Sequence, residues 1–145
     1  MALKTNPVAK ATSIADLAKV KLGVQVGTTS YDAITNVIKP ADASLVKVYD
    51  TNDAAIQALK TKAVDAIVVD LPTADYLANV ELDGGTIVGQ LDQGTPERYG
   101  LALNKGSQLT ACLNKAIAAL TADGTLKQLA AQYLPFTSST PVFKP

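Results

Sequence analysis

The stretch AVDAIVVD at residues 63–70 decides the fold class, because it is a strand-length run that is almost entirely apolar. Such a run is typical of a β-strand that is covered on both faces, as in a parallel sheet between two layers of helices. The residues before it show the same organisation, since strand patterns at Val20–Val26 and Leu45–Tyr49 are each followed by residues of helical period. We therefore predict an α/β fold with an open, mostly parallel sheet and helices on both faces.

The alternation of predicted strands and helices extends to about residue 91 and then stops. Helices are predicted over Thr29–Ile38, Ala54–Lys60 and from Leu71 to about Asn79, a fourth strand over Thr86–Leu91, a further strand over Tyr99–Leu103, and helices over Ser107–Leu120 and Thr125–Leu134. We expect residues 1–98 to form the α/β lobe. Residues 99–136 would then form a strand and two helices in a different packing environment, and residues 137–145 a flexible tail.

Composition excludes several classes of function. The 145 residues are 48% hydrophobic, which is enough for one domain with a core, and 13 basic against 13 acidic side chains give no net charge that would attract nucleic acid. The chain has no histidine and one cysteine, Cys112, so we expect no zinc site, no internal disulfide, no catalytic residue and no cofactor, with Cys112 as small core filling. Neither a membrane span nor a signal peptide is visible.

The turn Gly27–Ser30 lies where the first predicted strand ends and the first helix begins. On an open α/β sheet, ligands bind beyond the carboxyl ends of the strands, and a helix start offers unpaired amides to an anion. A carboxylate or a phosphate suits this turn, with the hydroxyls of Thr28 and Thr29 as further donors. Alternatively, these side chains cap their own helix.

Asp70 ends the third strand at the same edge of the sheet. A carboxylate beside an anion-accepting turn suits a zwitterion, so an α-amino acid could place its carboxylate on the amides of Thr28 and Thr29 and its ammonium on Asp70. The alternative is that Asp70 caps the helix beginning at Leu71. Gln25 alternates out of the first strand, where it either contacts the side chain of a ligand or faces solvent.

Six short motifs, in this order, resemble those of the bacterial polar amino-acid solute-binding proteins of ABC importers. The motifs are IADL at 14–17, VQVGTT at 24–29, AVDAIVVD at 63–70, YGLALNKGS at 99–107, LNKA at 113–116 and DGT at 123–125. The resemblance covers roughly residues 5–134. It implies the second lobe of a protein of the type II periplasmic-binding-protein-like fold, with the C-terminal helices that would pack on the first lobe.

Members of that family close two lobes around an amino acid, so the resemblance implies a binding protein and not an enzyme. The ligand-binding residues that it implies are Gln25, Gly27, Thr28, Thr29, Val69 and Asp70. Thr28 and Thr29 would hold the α-carboxylate, and Asp70 would take the α-ammonium. The family's first lobe supplies an arginine for the carboxylate, and no such lobe is visible in this sequence, whose only arginine is Arg98. We therefore expect a truncated or engineered fragment with weak ligand binding.

The resemblance also implies partners and a location. An amino acid would be the ligand, the membrane subunits of an ABC importer would be partners of the full-length parent, and the parent would be periplasmic or extracellular. Apolar positions on the last two helices predict a homodimer.

Two other functions stay open. One is a dehydratase-like enzyme of the same architecture, although the chain carries only scattered carboxylates for acid–base chemistry. The other is a receiver-type signalling domain phosphorylated on Asp70, although the first strand ends in Gly27-Thr28-Thr29 where acidic metal ligands would be expected.

Overall fold

The predicted alternation of strands and helices is present in the structure, a computed structural model that describes residues 1–94, 98–134 and 140–144. The strands are β1 Ala2–Leu3, β2 Leu22–Gln25, β3 Val46–Tyr49, β4 Ala66–Ile67, β5 Gly85–Thr86, β6 Gln90–Leu91 and β7 Val142–Phe143. The helices are α1 Ile14–Leu17, α2 Thr29–Ala33, α3 Asn52–Lys60, α4 Leu71–Tyr76, α5 Leu109–Ala122 and α6 Thr125–Tyr133. The chain divides into two units, Met1–Thr95 with Thr140–Pro145 and Pro96–Ser139.

The first unit is built on a five-stranded sheet in the order β3-β2-β4-β1-β5. Strand β2 pairs in parallel with β3 on one side, Leu22 opposite Val46, and with β4 on the other, Leu22 opposite Ala66. Strand β1 is antiparallel to both β4 and β5. The carboxyl ends of β3, β2 and β4 therefore lie side by side at one edge, and the expectation of a mostly parallel sheet is confirmed.

Hydrophobic clusters lie on both faces of this sheet, because successive strand residues point to opposite sides. Ala66 belongs to a cluster with Leu17, Leu22, Val24, Ile34, Ile38 and other buried residues. Its neighbour Ile67 belongs to a second cluster with Ala55, Ile56, Leu59, Leu77 and Leu82. Residues of α1 and of the π-helical turn that follows α2 belong to the first cluster. Residues of α3 and of the π-helical turn that follows α4 belong to the second. The predicted arrangement, with helices on both faces, is thus confirmed.

Local signals set where the helices begin and end. Ser13 and Asp16 form a reciprocal capping box at the start of α1, and Thr51 caps α3 by accepting a hydrogen bond from the amide of Ala54 at 3.1 Å. The helices α2 and α4 each continue directly into a π-helical turn, Ile34–Ile38 and Leu77–Glu81.

Two predicted strands differ from the structure. The predicted strand Thr86–Leu91 is divided between β5 and β6, which belong to different sheets, with the buried Val88 between them. Residues 99–103 do not form a strand, and Tyr99, Leu101 and Leu103 are exposed. That prediction was wrong because an apolar alternation becomes a strand only where a neighbouring strand takes up its backbone hydrogen bonds.

Part of the predicted flexible tail forms a strand in the structure, β7. Val142–Phe143 pairs in parallel with Gln90–Leu91, and the Phe143 ring is buried in the first hydrophobic cluster. The amide of Asp92 donates to the carbonyl of Phe143 at 3.0 Å. One aromatic side chain can anchor a segment that is otherwise rich in proline and hydroxyl residues. Residues 137–139 and 145 of the predicted tail lie outside the described residues.

The second unit contains the two predicted helices, as α5 and α6. Their apolar positions are exposed, among them Leu109, Ile117, Leu120, Leu129 and Tyr133. Cys112 on α5 is also exposed, so its predicted place in a core is wrong. A helical pattern of apolar residues marks the face that can be buried, whereas burial itself requires a partner surface.

In the part of the chain that the structure describes, no helix is long and apolar enough to cross a membrane.

Candidate functional site

The turn between β2 and α2 has the geometry of a helix start. Gly27 adopts a φ of 68°, in the left-handed region that favours glycine, and Thr28 follows in an extended conformation as the N-cap of α2. The Thr28 hydroxyl donates to the carbonyl of Gln25 at 2.9 Å and accepts from the amide of Tyr31 at 3.3 Å. The capping interpretation is therefore correct for the Thr28 side chain. Its hydroxyl proton is engaged in the hydrogen bond to Gln25 and is not available to a ligand.

The backbone of the same turn keeps free donors. Among the described residues, the amides of Thr28, Thr29 and Ser30 have no hydrogen-bond partner, and neither does the exposed Thr29 hydroxyl. These amides lie at the positive end of the helix dipole, where an anion is stabilised. What the turn can offer an anion is thus a group of backbone N–H donors and one hydroxyl.

Asp70 occupies the N-cap position of α4 without acting as a side-chain cap. Its carbonyl accepts from the amide of Ala74 at 2.9 Å, as the first bond of the helix, but its carboxylate makes no capping hydrogen bond. Pro72 lies in the first turn of α4, where its missing N–H removes one of the donors that a cap would satisfy. The Asp70 side chain is exposed, and its carboxylate has no hydrogen-bond or ion-pair partner among the described residues.

The sheet places the end of β4 beside the turn. Gly23 lies opposite Ile67, and the amide of Val68 donates to the carbonyl of Gly23 at 3.0 Å, so the parallel pairing continues past β4. Continued by two residues, this register brings Val69 level with Gln25. Neighbouring strands are about 4.8 Å apart, which puts Asp70 one strand away from the free amides of the turn.

The six predicted residues thus lie on the carboxyl ends of two paired strands and in the turns that follow them. Gln25 and Val69 are half-buried, and Val69 packs against the second cluster, whereas Gly27, Thr29 and Asp70 are exposed. The arrangement offers donors to an anion on β2 and a free carboxylate to a cation on β4. It can hold the two charges of one small zwitterion.

One further residue at this edge was not predicted as a site residue. Asp50 directly follows β3, so β2 has a carboxylate beside its carboxyl end on both sides. The side-chain amide of Gln25 donates to the Asp50 carbonyl at 3.4 Å, and the Asp50 carboxylate has no partner among the described residues. The sequence places Asp50 in a group of possible caps, DTND at 50–53, and the cap is Thr51. Its position directly after a strand, like that of Asp70, is the signal that would have identified it.

Lysine and arginine are absent from the three segments that form this edge, residues 25–32, 49–56 and 68–76. In α1, hydrogen bonds from the Ser13 side chain and the Thr12 backbone lower the pKa of the Asp16 carboxyl, because they favour its charged form. Within residues 1–94, 98–134 and 140–144, no group of three or more potential metal ligands lies together.

Comparison with solved structures identifies proteins of similar fold and sequence, although no protein-family model matches the chain. An ancestral arginine-binding protein bound to glutamine is 33% identical, with a TM-score of 0.66, over 91% of this chain and 56% of that protein. An ancestral amino-acid-binding protein described as a precursor of cyclohexadienyl dehydratase is 28% identical, with a TM-score of 0.61, over 92% and 54%.

The arginine-, lysine-, histidine-binding protein ArtJ of Geobacillus stearothermophilus is 21% identical, with a TM-score of 0.62, over 91% of this chain and 55% of that protein, and shows the shared fold. The chain thus spans little more than half of the length of each solved structure. These matches confirm the resemblance to amino-acid solute-binding proteins and the predicted fold class.

Proposed function

Because the chain has the fold of one lobe of an amino-acid solute-binding protein, we propose that it binds the α-carboxylate and α-ammonium of an amino acid at the carboxyl edge of its parallel strands. One observation supports this most directly. Three free amides at the start of α2 lie one strand away from the Asp70 carboxylate, which caps nothing. Donors for an anion and an acceptor for a cation are thus presented side by side.

In this proposal, each residue has a specific role. The amides of Thr28 and Thr29 and the Thr29 hydroxyl donate to the α-carboxylate, and Asp70 accepts from the α-ammonium. The Thr28 hydroxyl positions the turn, because it is engaged with Gln25 and Tyr31. Gln25 and Val69 border the side chain of the ligand, and Gly27 provides the backbone conformation that lets the amides face outward.

Affinity in this chain should be modest. The residues of the proposed site are exposed or half-buried, and water competes for every donor and acceptor of an open site. The solved structures that the chain resembles are more than one and a half times as long, and we propose that a full-length parent closes a second lobe over the ligand.

The test is a ¹H–¹⁵N correlation titration of the chain with L-glutamine and L-arginine at millimolar concentrations. We expect shifts confined to Gly27–Ser30 and the surroundings of Asp70. N-acetyl-glutamine lacks the ammonium and glutaminamide lacks the carboxylate, so both should shift these signals less. Asp70→Asn should weaken binding about five-fold, as for one partly exposed ion pair. Asp83→Asn, which changes an exposed carboxylate before β5, serves as the matched control. An absence of shifts at the turn with every amino acid would contradict the proposal.

Binding is favoured over catalysis for this chain. One of the matched structures is described as a precursor of a dehydratase, which keeps an enzymatic alternative in view. A dehydratase needs a group that gives up and takes back a proton, and the carboxylate of Asp70 at this edge is exposed to solvent.

We also propose that a second copy of the chain covers the apolar faces of α5 and α6. Exposed apolar patches of this kind are typical of interaction surfaces. Light scattering should give twice the mass of the 15.0 kDa chain, and Leu120→Lys on α5 should return it to one chain. A single-chain mass at high micromolar concentration would contradict dimerisation.

For the full-length parent, we propose a role in amino-acid import, with the membrane subunits of an ABC importer as partners and a periplasmic or extracellular location. The fold shared with amino-acid solute-binding proteins supports this proposal. Its test is import of a labelled amino acid by cells that produce the parent and its importer.

A further inference from the structure

The chain contains two Asp-Gly dipeptides, Asp83-Gly84 and Asp123-Gly124, and their surroundings in the structure differ. An Asp-Gly dipeptide is prone to spontaneous rearrangement, because glycine has no side chain to shield its amide nitrogen from the aspartyl carboxyl group. The two dipeptides can be compared within one chain, since the reacting groups are the same and only the contacts around them change.

Asp83-Gly84 forms the centre of a turn between Leu82 and β5. The amide of Gly85 closes this turn by donating to the carbonyl of Leu82 at 2.8 Å. Gly84 has a φ of 71°, as the third position of a type II turn requires. Both Asp83 and Gly84 are exposed, and a Cβ built on Gly84 would meet no heavy atom within 4 Å. The turn is therefore held at its two ends, while its central peptide group lies in open space.

This central peptide group is also free of hydrogen bonds. Among the described residues, neither the carbonyl of Asp83 nor the amide of Gly84 has a backbone partner. The Asp83 carboxylate has no ion-pair partner in the same part of the chain. The peptide group can therefore rotate toward the Asp83 carboxyl group without breaking a hydrogen bond of the fold.

The reacting groups of Asp123-Gly124, between α5 and α6, are held in place. The amide of Gly124 donates to the carbonyl of Thr121 at 3.3 Å. The Asp123 carboxylate accepts from the amide of Thr125 at 2.8 Å. Hydrogen bonds from Thr125 also lower the pKa of Asp123, which decreases the protonated fraction of its carboxyl group. Two hydrogen bonds must break before the nitrogen and the carboxyl group can meet.

We propose that Asp83-Gly84 is a site of covalent self-modification, at which the aspartyl residue isomerises to isoaspartate. The amide nitrogen of Gly84 attacks Cγ of the protonated Asp83 carboxyl group, and the carboxyl hydroxyl leaves with the amide proton as water. The product is a succinimide ring. Water then opens the ring at one of its two carbonyls. Opening at Cγ restores aspartate, and opening at the backbone carbonyl gives isoaspartate, with no net change in mass.

Isoaspartate changes the edge of the sheet, because the main chain then runs through Cβ and gains one atom between Leu82 and Gly84. The carbonyl of Gly84 accepts from the amide of Lys4 at 2.8 Å, next to the pairing of Leu3 with Gly85. We therefore expect isomerisation to weaken the contact between β1 and β5. The turn lies beyond the amino ends of the parallel strands, so the candidate site at their carboxyl ends should keep its structure.

The test is to incubate the folded chain for several weeks at neutral pH and physiological temperature, and to follow both dipeptides by peptide mapping. A protease that cuts before aspartate does not cut before isoaspartate. Labelling by a methyltransferase specific for isoaspartyl carboxylates measures the product independently. We expect isomerisation at Asp83 to be on the order of ten-fold faster than at Asp123, where two hydrogen bonds must first break. In concentrated urea the two rates should become similar.

Two variants test the chemistry at this position. Asp83→Glu should abolish the product there and leave Asp123 unchanged, because a glutamyl carboxyl group would have to close a larger ring. Asp83→Asn should form the same succinimide faster and with loss of ammonia, because this reaction does not depend on a protonated carboxyl group. As a control for ligand binding, that variant is therefore used freshly prepared.

Hydrogen exchange tests the structural consequence. In the isoaspartyl form, the amides of Lys4 and Gly85 should exchange faster than in the unmodified chain. Equal rates at Asp83 and Asp123 in the folded chain, or an equally large difference in urea, would overturn the proposal that the fold selects Asp83. Unchanged exchange at Lys4 and Gly85 would overturn the expected effect on the sheet.

Discussion

The C-terminal segment offers the sharpest test of the packing, through Phe143 and Gly89. The Phe143 ring is 6% exposed, and a Cβ built on Gly89 would lie 2.6 Å from its Cε2 and 2.7 Å from its Cζ. Real Cβ atoms essentially never approach so closely, so Gly89→Ala displaces the ring and should cost about 2 kcal/mol. Phe143→Ala empties the same place and should cost about 3 kcal/mol, at the low end for a buried aromatic because a terminal segment can leave the site.

The two changes should not add. Once the Phe143 ring is removed, the methyl group introduced by Gly89→Ala has nothing to displace, so that substitution should cost close to nothing in the Phe143→Ala background. A double-mutant cycle should therefore give a coupling of about 2 kcal/mol. Val142→Ala, at a neighbouring side chain that is 52% exposed, is the control and should be nearly neutral.

Hydrogen exchange measures this effect at the segment itself. The amides of Gln90 and Asp92 donate to the carbonyls of Pro141 and Phe143 at 2.7 and 3.0 Å, so both are protected only while the segment is docked. In Phe143→Ala, a loss of about 3 kcal/mol should accelerate their exchange on the order of 100-fold when the segment opens and closes faster than its open amides exchange. Strictly additive costs in the double mutant, or unchanged exchange at Gln90 and Asp92, would refute the packing described here.

Three further predictions concern stability and ionisation. Burial lowers the pKa of the Met1 ammonium from 8.0 to about 5, so between pH 8 and pH 5 the unfolded chain binds a proton that the folded chain does not. The free energy of unfolding, measured by urea titration, should therefore fall by about 4 kcal/mol as the pH drops through this window. The N-acetylated chain, which lacks this ammonium, should not show the fall. The same pH dependence in both chains would contradict the prediction. Ser13→Ala removes the hydrogen bond that most lowers the pKa of Asp16. The pKa of Asp16, measured from its carboxyl ¹³C shift, should therefore rise toward its ordinary value. An unchanged pKa would speak against the capping box. Gly23→Ala should cost about 1–2 kcal/mol, because its Cβ would meet two buried methyl groups at 3.2 Å, whereas Gly100→Ala meets nothing within 4 Å and should cost less.

Much of the fold could be predicted because its signals are local. Periodicity placed β2, β3, α3, α5 and α6 within a few residues of their observed bounds, since a strand or helix covered by a core must repeat its apolar residues at a fixed spacing. Prolines, glycines and caps set where these elements end. The predicted edge of the site followed from topology alone, because parallel strands present their carboxyl ends together.

The sequence predicted where the residues of the candidate site lie in the fold, but not which hydrogen bonds they make. Gly27–Ser30 and Asp70 lie at one edge, as the sequence indicated. Which side chain caps and which is free was undecided, because Thr28 and Asp70 occupy equivalent positions before helices. The structure shows that Thr28 caps and Asp70 does not, a difference that depends on side-chain geometry and not on residue type.

Three features were decided only by the tertiary structure. Met1–Leu3 carries no strand pattern, yet it fills the place between β4 and β5, and Phe143 joins a core whose other members lie far earlier in the chain. Cys112 shows the converse, since its helix repeats apolar residues correctly and still leaves it exposed. Local patterns determine which elements form because backbone and neighbouring side chains act within a few residues. Which surfaces meet depends on contacts between distant parts of the chain, whose loop-closure cost and shape complementarity no short stretch encodes.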